Sequence, residues 1–335
     1  MVDVLITGGV GFIGSHLAEA FIEDGHRVTV IDNLDRTYDT AIKKRNIALL
    51  TNLTTTSSGE FEFVEGNIRD EVLLEKHVSH ADYVYHEAAK AGVGPSVDSP
   101  HAYLETNVAG TLDVLQAAAD ADVERVINAS SSSVYGDVHQ VPIPEHHPTK
   151  PASPYGLTKL ATEHYCRLFT ELHGLPTVSL RYFTVYGPRM RTGMAVPDFT
   201  ARAVDDDATF TCFGDGAQVR DFTYVDDVVE ANRQLMHTSV ADGEVLNIGS
   251  GGTVSVSGLI DLVQDAVGVE KEVTHLSSRA GDAELTHADL RKTKRLIGYS
   301  PETPIDEGIE KFVSWYRDNE DWYHDLALAE ALSHE

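Results

Sequence analysis

The chain has 335 residues, 42% of them apolar, and a net charge of −27 from 53 acidic against 26 basic side chains. That is ample for a buried core in one large α/β unit or two lobes. A field of this sign argues against nucleic acid and anionic membrane as partners, since both need a basic patch to release counterions. Cys166 and Cys212 show neither metal spacing nor a disulfide framework. His146-His147 sits in a proline-rich loop without a third ligand, so no metal is expected. No basic n-region or long apolar segment precedes the first strand-like run, and a soluble, cytoplasmic protein is expected. The acidic excess, set against only 10 lysines, reads as adaptation to high salt, where screening shortens repulsion and carboxylates hydrate the surface. A phosphate-bearing ligand would then depend on a few specific arginines and helix N-termini.

In chain order, short β-branched runs alternate with helical stretches: Val2 to Thr7, Arg27 to Ile31, Phe61 to Val64, Tyr83 to His86, Arg125 to Asn128 and Thr177 to Leu180. This alternation predicts an α/β fold, a doubly wound parallel sheet covered on both faces. Leu104, Val108, Thr111 and Leu115 form one helical stripe, and Asn52 to Gly59 reads as a polar surface loop. Beyond Arg181 the elements shorten and glycine and proline become frequent. The predicted division is a Rossmann-type dinucleotide domain over 1–181, with 219–250 crossing back to it. A smaller mixed α/β lobe is expected over 182–218 and 251–335.

Thr7-Gly-Gly-Val-Gly-Phe-Ile-Gly14 follows a strand and opens a helix, the context that makes a glycine pattern informative. Gly8, Gly11 and Gly14 let backbone approach a pyrophosphate, whose charge meets the helix N-terminus that Phe12 and Ile13 begin. Asp32 ends the second strand, where a carboxylate takes both ribose hydroxyls and repels a 2′-phosphate, so NAD is favoured over NADP. Arg36 lies just past that strand, where an arginine can accept such a phosphate. Downstream come the serine run Ser130 to Ser133 and Tyr155-Gly-Leu-Thr-Lys159. A tyrosine and a lysine four apart share a helix face, so the ammonium can hold ribose while its charge favours the phenolate. A free phenol, with a pKa of about 10, would otherwise be a poor base at neutral pH.

These blocks resemble the extended short-chain dehydrogenase/reductases, specifically the NAD-dependent nucleotide-sugar epimerases and dehydratases. The resemblance runs nearly end to end. It includes His86-Glu-Ala-Ala89, Ser131-Ser-Ser-Val-Tyr-Gly136, Arg181-Tyr-Phe-Thr-Val-Tyr-Gly-Pro-Arg189, Arg220-Asp-Phe-Thr-Tyr-Val-Asp226, Asn247-Ile-Gly-Ser250 and Arg279-Ala-Gly-Asp282. It implies that Asp32 holds the adenosine ribose, with Asn33 next to it in the cofactor site, and that Asn67-Ile68 hold the adenine edge, Asn67 standing where the family usually has aspartate. It implies that Ala88, Ala89 and Lys90 wall the pyrophosphate and nicotinamide, and that Arg220 and Arg279 hold the substrate diphosphate and ribose. Ser131 falls where the family's serine or threonine bonds the reacting sugar hydroxyl.

The next two positions separate the reactions within the family. Dehydratases carry Asp and Glu there to eliminate water, and uronate decarboxylases a glutamate at the second; here they are Ser132 and Ser133. Neither can protonate a leaving hydroxyl or abstract a carbon-bound proton at neutral pH. The expected chemistry is inversion at C4 of a UDP-sugar through a transient 4-keto sugar, with Ser131, Tyr155 and Lys159 as the catalytic set. Thr184 and Arg191 resemble the uronate 4-epimerases, where they hold the C6 carboxylate. Small Thr286 stands at the family's gate position and does not exclude an N-acetylated sugar. The alternatives are another nucleotide-sugar oxidoreductase or a non-catalytic NAD-sensing protein. The family also implies a homodimer through helices near 101–121 and 155–173.

Overall fold

The structure, a computed structural model, describes residues 1–277 and 284–332. Six strands alternate with helices along the first half: β1 Asp3–Thr7, β2 Arg27–Asp32, β3 Glu60–Glu65, β4 Tyr83–His86, β5 Arg125–Ser131 and β6 Thr177–Tyr182. After β6 come β7 Thr184–Tyr186, β8 Phe210–Phe213, β9 Val219–Arg220, β10 Phe222–Tyr224 and β11 Val245–Ile248. The last two are β12 Val254–Ser255 and β13 Val273–Leu276.

β1 to β6 join β11 in a seven-stranded sheet of order β11-β6-β5-β4-β1-β2-β3, parallel at every pairing. Strands buried on both faces read as continuous apolar runs, and every residue of β5 and β6 is buried. Strand order reverses between β1 and β4, which opens a crevice at the strands' carboxyl ends.

The sheet's seventh strand comes from the second half of the chain. Val245 to Ile248 pairs with Ser179 to Tyr182. The helix Val225–Gln234 packs on the helix Phe12–Glu23, and Val225, Val228 and Leu246 share one core with Leu17, Phe21 and Tyr85. A second core gathers Tyr186, Phe199, Phe210, Phe222, Leu259, Phe312, Tyr316 and Tyr323 around the helices Ala195–Val204, Val256–Val267, Ile305–Asp318 and Glu320–Leu332. Three two-stranded pieces, β7 with β10, β9 with β12 and β8 with β13, brace this half.

Two local expectations change. The helix Thr40–Leu53 runs through Asn52 and Leu53, so the predicted loop begins at Thr54. The stripe Leu104, Val108, Thr111, Leu115 is broken, because residues Leu104–Ala109 form a π-helical turn before the α-helix Gly110–Asp120. The wider turn rotates what precedes it, leaving Leu104 52% exposed while Thr111 and Leu115 are buried.

Candidate active site

The glycine loop joins β1 to the helix Phe12–Glu23 at the crevice. Gly8 has φ +70°, and a Cβ there would lie 2.7 Å from the Ala88 backbone, so the loops after β1 and β4 touch main chain to main chain. A Cβ on Gly14 would lie 2.5 Å from the Gly8 carbonyl. At Gly11 the nearest atoms to such a Cβ are Gly8 O at 3.1 Å and the Tyr38 hydroxyl at 3.8 Å, leaving space above the loop. Gly11 caps the helix with no side-chain bond, and no acidic residue occupies the first turn. Phe12 and Ile13 pack their side chains on the core, so what they offer the loop is backbone. An uncapped helix start beside glycines is the donor set that a pyrophosphate needs, and these residues fit a dinucleotide.

The adenosine end is built from β2 and β3. Asp32 closes β2, 6% exposed, and its Oδ1 accepts from Leu34 N at 2.8 Å and from Lys43 Nζ at 3.1 Å. Asn33 is exposed, and its Oδ1 accepts from Asp35 N. Asn67 follows β3, its Oδ1 taken by Arg69 N, while Ile68 is buried beneath Gly110.

Ala88, Ala89 and Lys90 leave the end of β4. Lys90 Nζ pairs with Asp35 Oδ2 at 3.1 Å, tying this wall to the loop after β2. Its backbone is clamped by Asn107, which sequence reasoning passed over. Lys90 N donates to Asn107 Oδ1 at 2.8 Å, and Asn107 Nδ2 donates to Lys90 O and to Thr158 Oγ1, each at 3.0 Å. Asn107 is 1% exposed and sits in the π-helical turn. It therefore fixes the spacing between the β4 loop and the helix that carries Tyr155. The sequence signal was a poor helix former, Asn107, between Thr106 and Gly110 in an otherwise helical stretch.

Ser131 ends β5, and its Oγ accepts from Ser133 N and donates to Ser133 Oγ, both at 3.1 Å. Ser132 and Ser133 begin a 3-10 turn, and no carboxylate replaces them. Tyr155 and Lys159 lie in the helix Pro154–His173, started by proline at its first position and by Ser153 Oγ accepting from Gly156 N. The Ser131 hydroxyl is near enough to the Tyr155 phenol to favour its anion. Ser131 and Tyr155 thus lie near one another, while Lys159, one turn along the helix from Tyr155, gives its ammonium to Ala129 O in β5.

Their electrostatics differ from the simple expectation. Burial raises the Tyr155 phenol above its ordinary value; the Ser131 hydroxyl and the charge of Arg191 oppose this, and Glu87 reinforces it. Lys159 is 6% exposed, its Nζ donates to Ala129 O at 2.6 Å, and burial lowers its ammonium while Glu87 pulls the other way. Without a cationic ring beside it, then, the phenol stays protonated at neutral pH. Activation is expected from the lysine and the positive nicotinamide ring together; among the protein's own groups burial has the largest effect on the phenol.

Behind Ser131, the Glu163 carboxylate is held in a fork by Arg181, Nε to Oε1 at 2.8 Å and Nη2 to Oε2 at 2.7 Å, and it also accepts from Ser130 Oγ. Thr184 stands in β7, its amide bonded to Asp221 O. Arg191 is half-buried, and its charge reaches Tyr155, Tyr103 and Tyr38. Arg220 lies in β9, with Nη1 on Val219 O. A surface pairing of Arg220 with Asp221 does not form: Asp221 is fully buried and accepts from Ser250 N, Ser250 Oγ and Ala288 N. Thr286 donates its amide to Val219 O, and its hydroxyl accepts from Asp221 N. Arg279 and Asp282 lie outside the described residues. Among the described residues no helix is long and apolar enough to cross a membrane, and no cluster of His, Cys, Asp or Glu could hold a metal ion.

A glycine cradle at a parallel sheet's switch point, with a serine near a tyrosine and a buried lysine one turn along the tyrosine's helix, marks a nicotinamide-dependent enzyme of the short-chain dehydrogenase/reductase type. The chain belongs to the NAD dependent epimerase/dehydratase family, whose pattern matches residues 4–249. It is an epimerase-family enzyme with NAD as cofactor. It is similar to UDP-glucuronate 4-epimerase 2 of Arabidopsis thaliana, 36% identical over 334 residues that cover 94% of this chain and 76% of that one. The solved UDP-glucuronic acid 4-epimerase of Bacillus cereus, in complex with UDP-glucuronic acid and NAD, superposes with TM-score 0.87 at 34% identity, covering 94% of this chain and 99% of its own. The UDP-glucose 4-epimerase of Thermotoga maritima, with UDP-glucose, superposes with TM-score 0.85 at 36% identity, covering 95% and 99%.

Proposed function

We propose that the enzyme inverts C4 of a UDP-sugar and that UDP-glucuronate and UDP-galacturonate are its substrate pair. The observation that carries the reaction class is Ser131 close to Tyr155, with serines, not carboxylates, at 132 and 133. Bound NAD supplies the hydride acceptor and donor. Tyr155, with Ser131, takes the 4-hydroxyl proton and later returns it. The site holds no second acid–base pair at 132 and 133 to divert the oxidised sugar to elimination. Lys159 and the glycine loop hold the dinucleotide. Arg220 and Arg279 are assigned to the substrate diphosphate, so the nucleotide is gripped while the sugar turns over. Thr184 and Arg191 support the uronate: Arg191 is the cation whose field reaches Tyr155, and a guanidinium fork suits a carboxylate. The relatives described as UDP-glucuronate 4-epimerases support the same reading.

The test is to incubate the holoenzyme separately with UDP-glucose, UDP-glucuronate and UDP-N-acetylglucosamine and to resolve C4 epimers by NMR. Interconversion of the uronate is expected, lost in Tyr155→Phe with NAD retained. Conversion of none of the three rejects the reaction. Arg191→Ala should act selectively on the uronate, and an equal loss on neutral sugars refutes the sugar assignment.

We further propose a homodimer through the helices near 101–121 and 155–173. Leu104, Leu157 and Leu172 lie there and are each more than half exposed. A monomeric mass in solution would reject it.

A further inference from the structure

Glu87 is the first residue after β4, at the crevice where strand order reverses. Its backbone abuts the glycine loop, since a Cβ on Gly8 would come within 2.9 Å of Glu87 C. Its side chain spans the carboxyl end of β5: Oε1 accepts from Tyr182 Oη at 2.9 Å, and Tyr182 belongs to β6 on the far side of that strand. Asn232, 0% exposed, donates Nδ2 to Tyr182 Oη at 3.1 Å, so the hydroxyl is turned toward the carboxyl. Glu87 is thus an oriented carboxyl next to the glycine loop, and its charge reaches Tyr155 and Lys159.

Glu87 is partly buried, and a carboxylate with reduced access to water gains from a positive partner. Burial raises the Glu87 carboxyl, a shift opposed by the Tyr182 bond and then by Lys159. Lys159 is not an ion-pair partner here: its Nζ is bonded to Ala129 O, and among the described residues Glu87 forms no ion pair. The proposed mechanism gives Glu87 no part. The group that completes its surroundings is a cation that comes and goes in this crevice, the oxidised nicotinamide, which is positive where its reduced form is neutral.

We propose that the Glu87 carboxylate, held by Tyr182 and Asn232, biases bound NAD toward its oxidised form. The bias matters for an enzyme that regenerates its cofactor in each cycle, because a molecule stranded with reduced cofactor after losing an oxidised sugar is inactive. A carboxylate favours the positive ring and disfavours the neutral one, which keeps the resting enzyme competent to accept hydride. The inference rests on the NAD site and not on which sugar is turned over, so a wrong substrate assignment leaves it standing.

The test uses holoenzyme equilibrated with an external redox couple at fixed potential and pH, reading bound reduced cofactor by its absorbance and fluorescence without any sugar present. Glu87→Gln keeps the acceptor for Tyr182 and removes the charge. The ratio of reduced to oxidised bound cofactor should rise by about tenfold, the order expected for one partly buried charge. Tyr182→Phe keeps the charge and removes the bond, and should move the ratio by less than about twofold. A ratio unchanged in Glu87→Gln overturns the proposal. Equal shifts in both variants also overturn it, since geometry rather than charge would then be responsible. Should Glu87→Gln not accumulate as folded holoenzyme, Glu87→Leu carries the same expectation and the same refutation.

Discussion

Replacing Glu163 with glutamine is the most direct test of what holds the catalytic pair together. Glu163 lies one turn beyond Lys159 on the base-bearing helix, and its partners Ser130 and Arg181 lie in β5 and β6. Both Glu163 and Arg181 are 4% exposed. The substitution leaves volume almost unchanged, removes the charge, and turns an amide NH2 toward a guanidinium that keeps only Glu145 O and the Tyr135 ring, 4.6 Å away. Breaking one side of a buried pair costs about 3–5 kcal/mol. With an unfolding entropy of about 2.1 cal/mol/K per residue over 335 residues, each degree corresponds to about 0.7 kcal/mol, so Tm should fall by about 4–7 °C. Because Glu163 touches neither cofactor nor sugar, kcat should drop through misplacement of Ser131 against Tyr155, with KM little changed. The double variant Glu163→Leu/Arg181→Met should recover more than half of the lost stability, since it strands no charge. Thermal melts at saturating NAD and steady-state kinetics decide it. A Tm within about 1 °C of the parent would refute the assigned role of the pair.

Asp32→Ser frees Lys43 from its present partner beside the ribose site, and relative affinity should move toward NADP by about a hundredfold; binding titrations with both cofactors check this. In cofactor-free protein, the ultraviolet titration difference between parent and Tyr155→Phe should place this phenol above an ordinary tyrosine, because burial disfavours its anion. Adding NAD should move that step down, and an unmoved step would remove the cofactor's charge from the activation argument. Gly8→Ala forces a Cβ into the Ala88 backbone at φ +70°, and should cost about 2–4 kcal/mol together with NAD binding. With a charge of −27, Tm should climb as KCl rises from about 0.1 M to 1 M, over which the screening length falls from about 10 to about 3 Å. A flat profile would dismiss the high-salt reading.

Strand identity was legible wherever a run was buried on both faces, as in β1, β2, β5 and β6, since such runs carry their own β-branched signature. That Tyr155 and Lys159 share one helix was legible from their spacing, because a helix face is a local property, whereas Ser131 was picked out by resemblance to the family. The π-helical turn was not, since a single extra residue per turn leaves almost no mark on a 3.6-residue pattern. Asn107 was hidden with it. The protonation of Tyr155 was equally out of reach: it depends on how much wall surrounds the hydroxyl, and a sequence gives the neighbours' charges without their enclosure. Glu87 stood in a quoted block, yet nothing along the chain tells that Tyr182, 95 positions away, would reach it.

The sheet's outermost strand, Val245–Ile248, reaches the ribosome's exit some 60 residues after the strand it covers. Until it docks, the backbone of Thr177–Tyr182 is an unpaired, entirely buried-type edge, the sort of surface on which nascent chains aggregate. The dinucleotide half therefore cannot be excised as residues 1–181 and be expected to stay soluble. Any expression fragment must run to at least residue 248, carrying part of the other half with it.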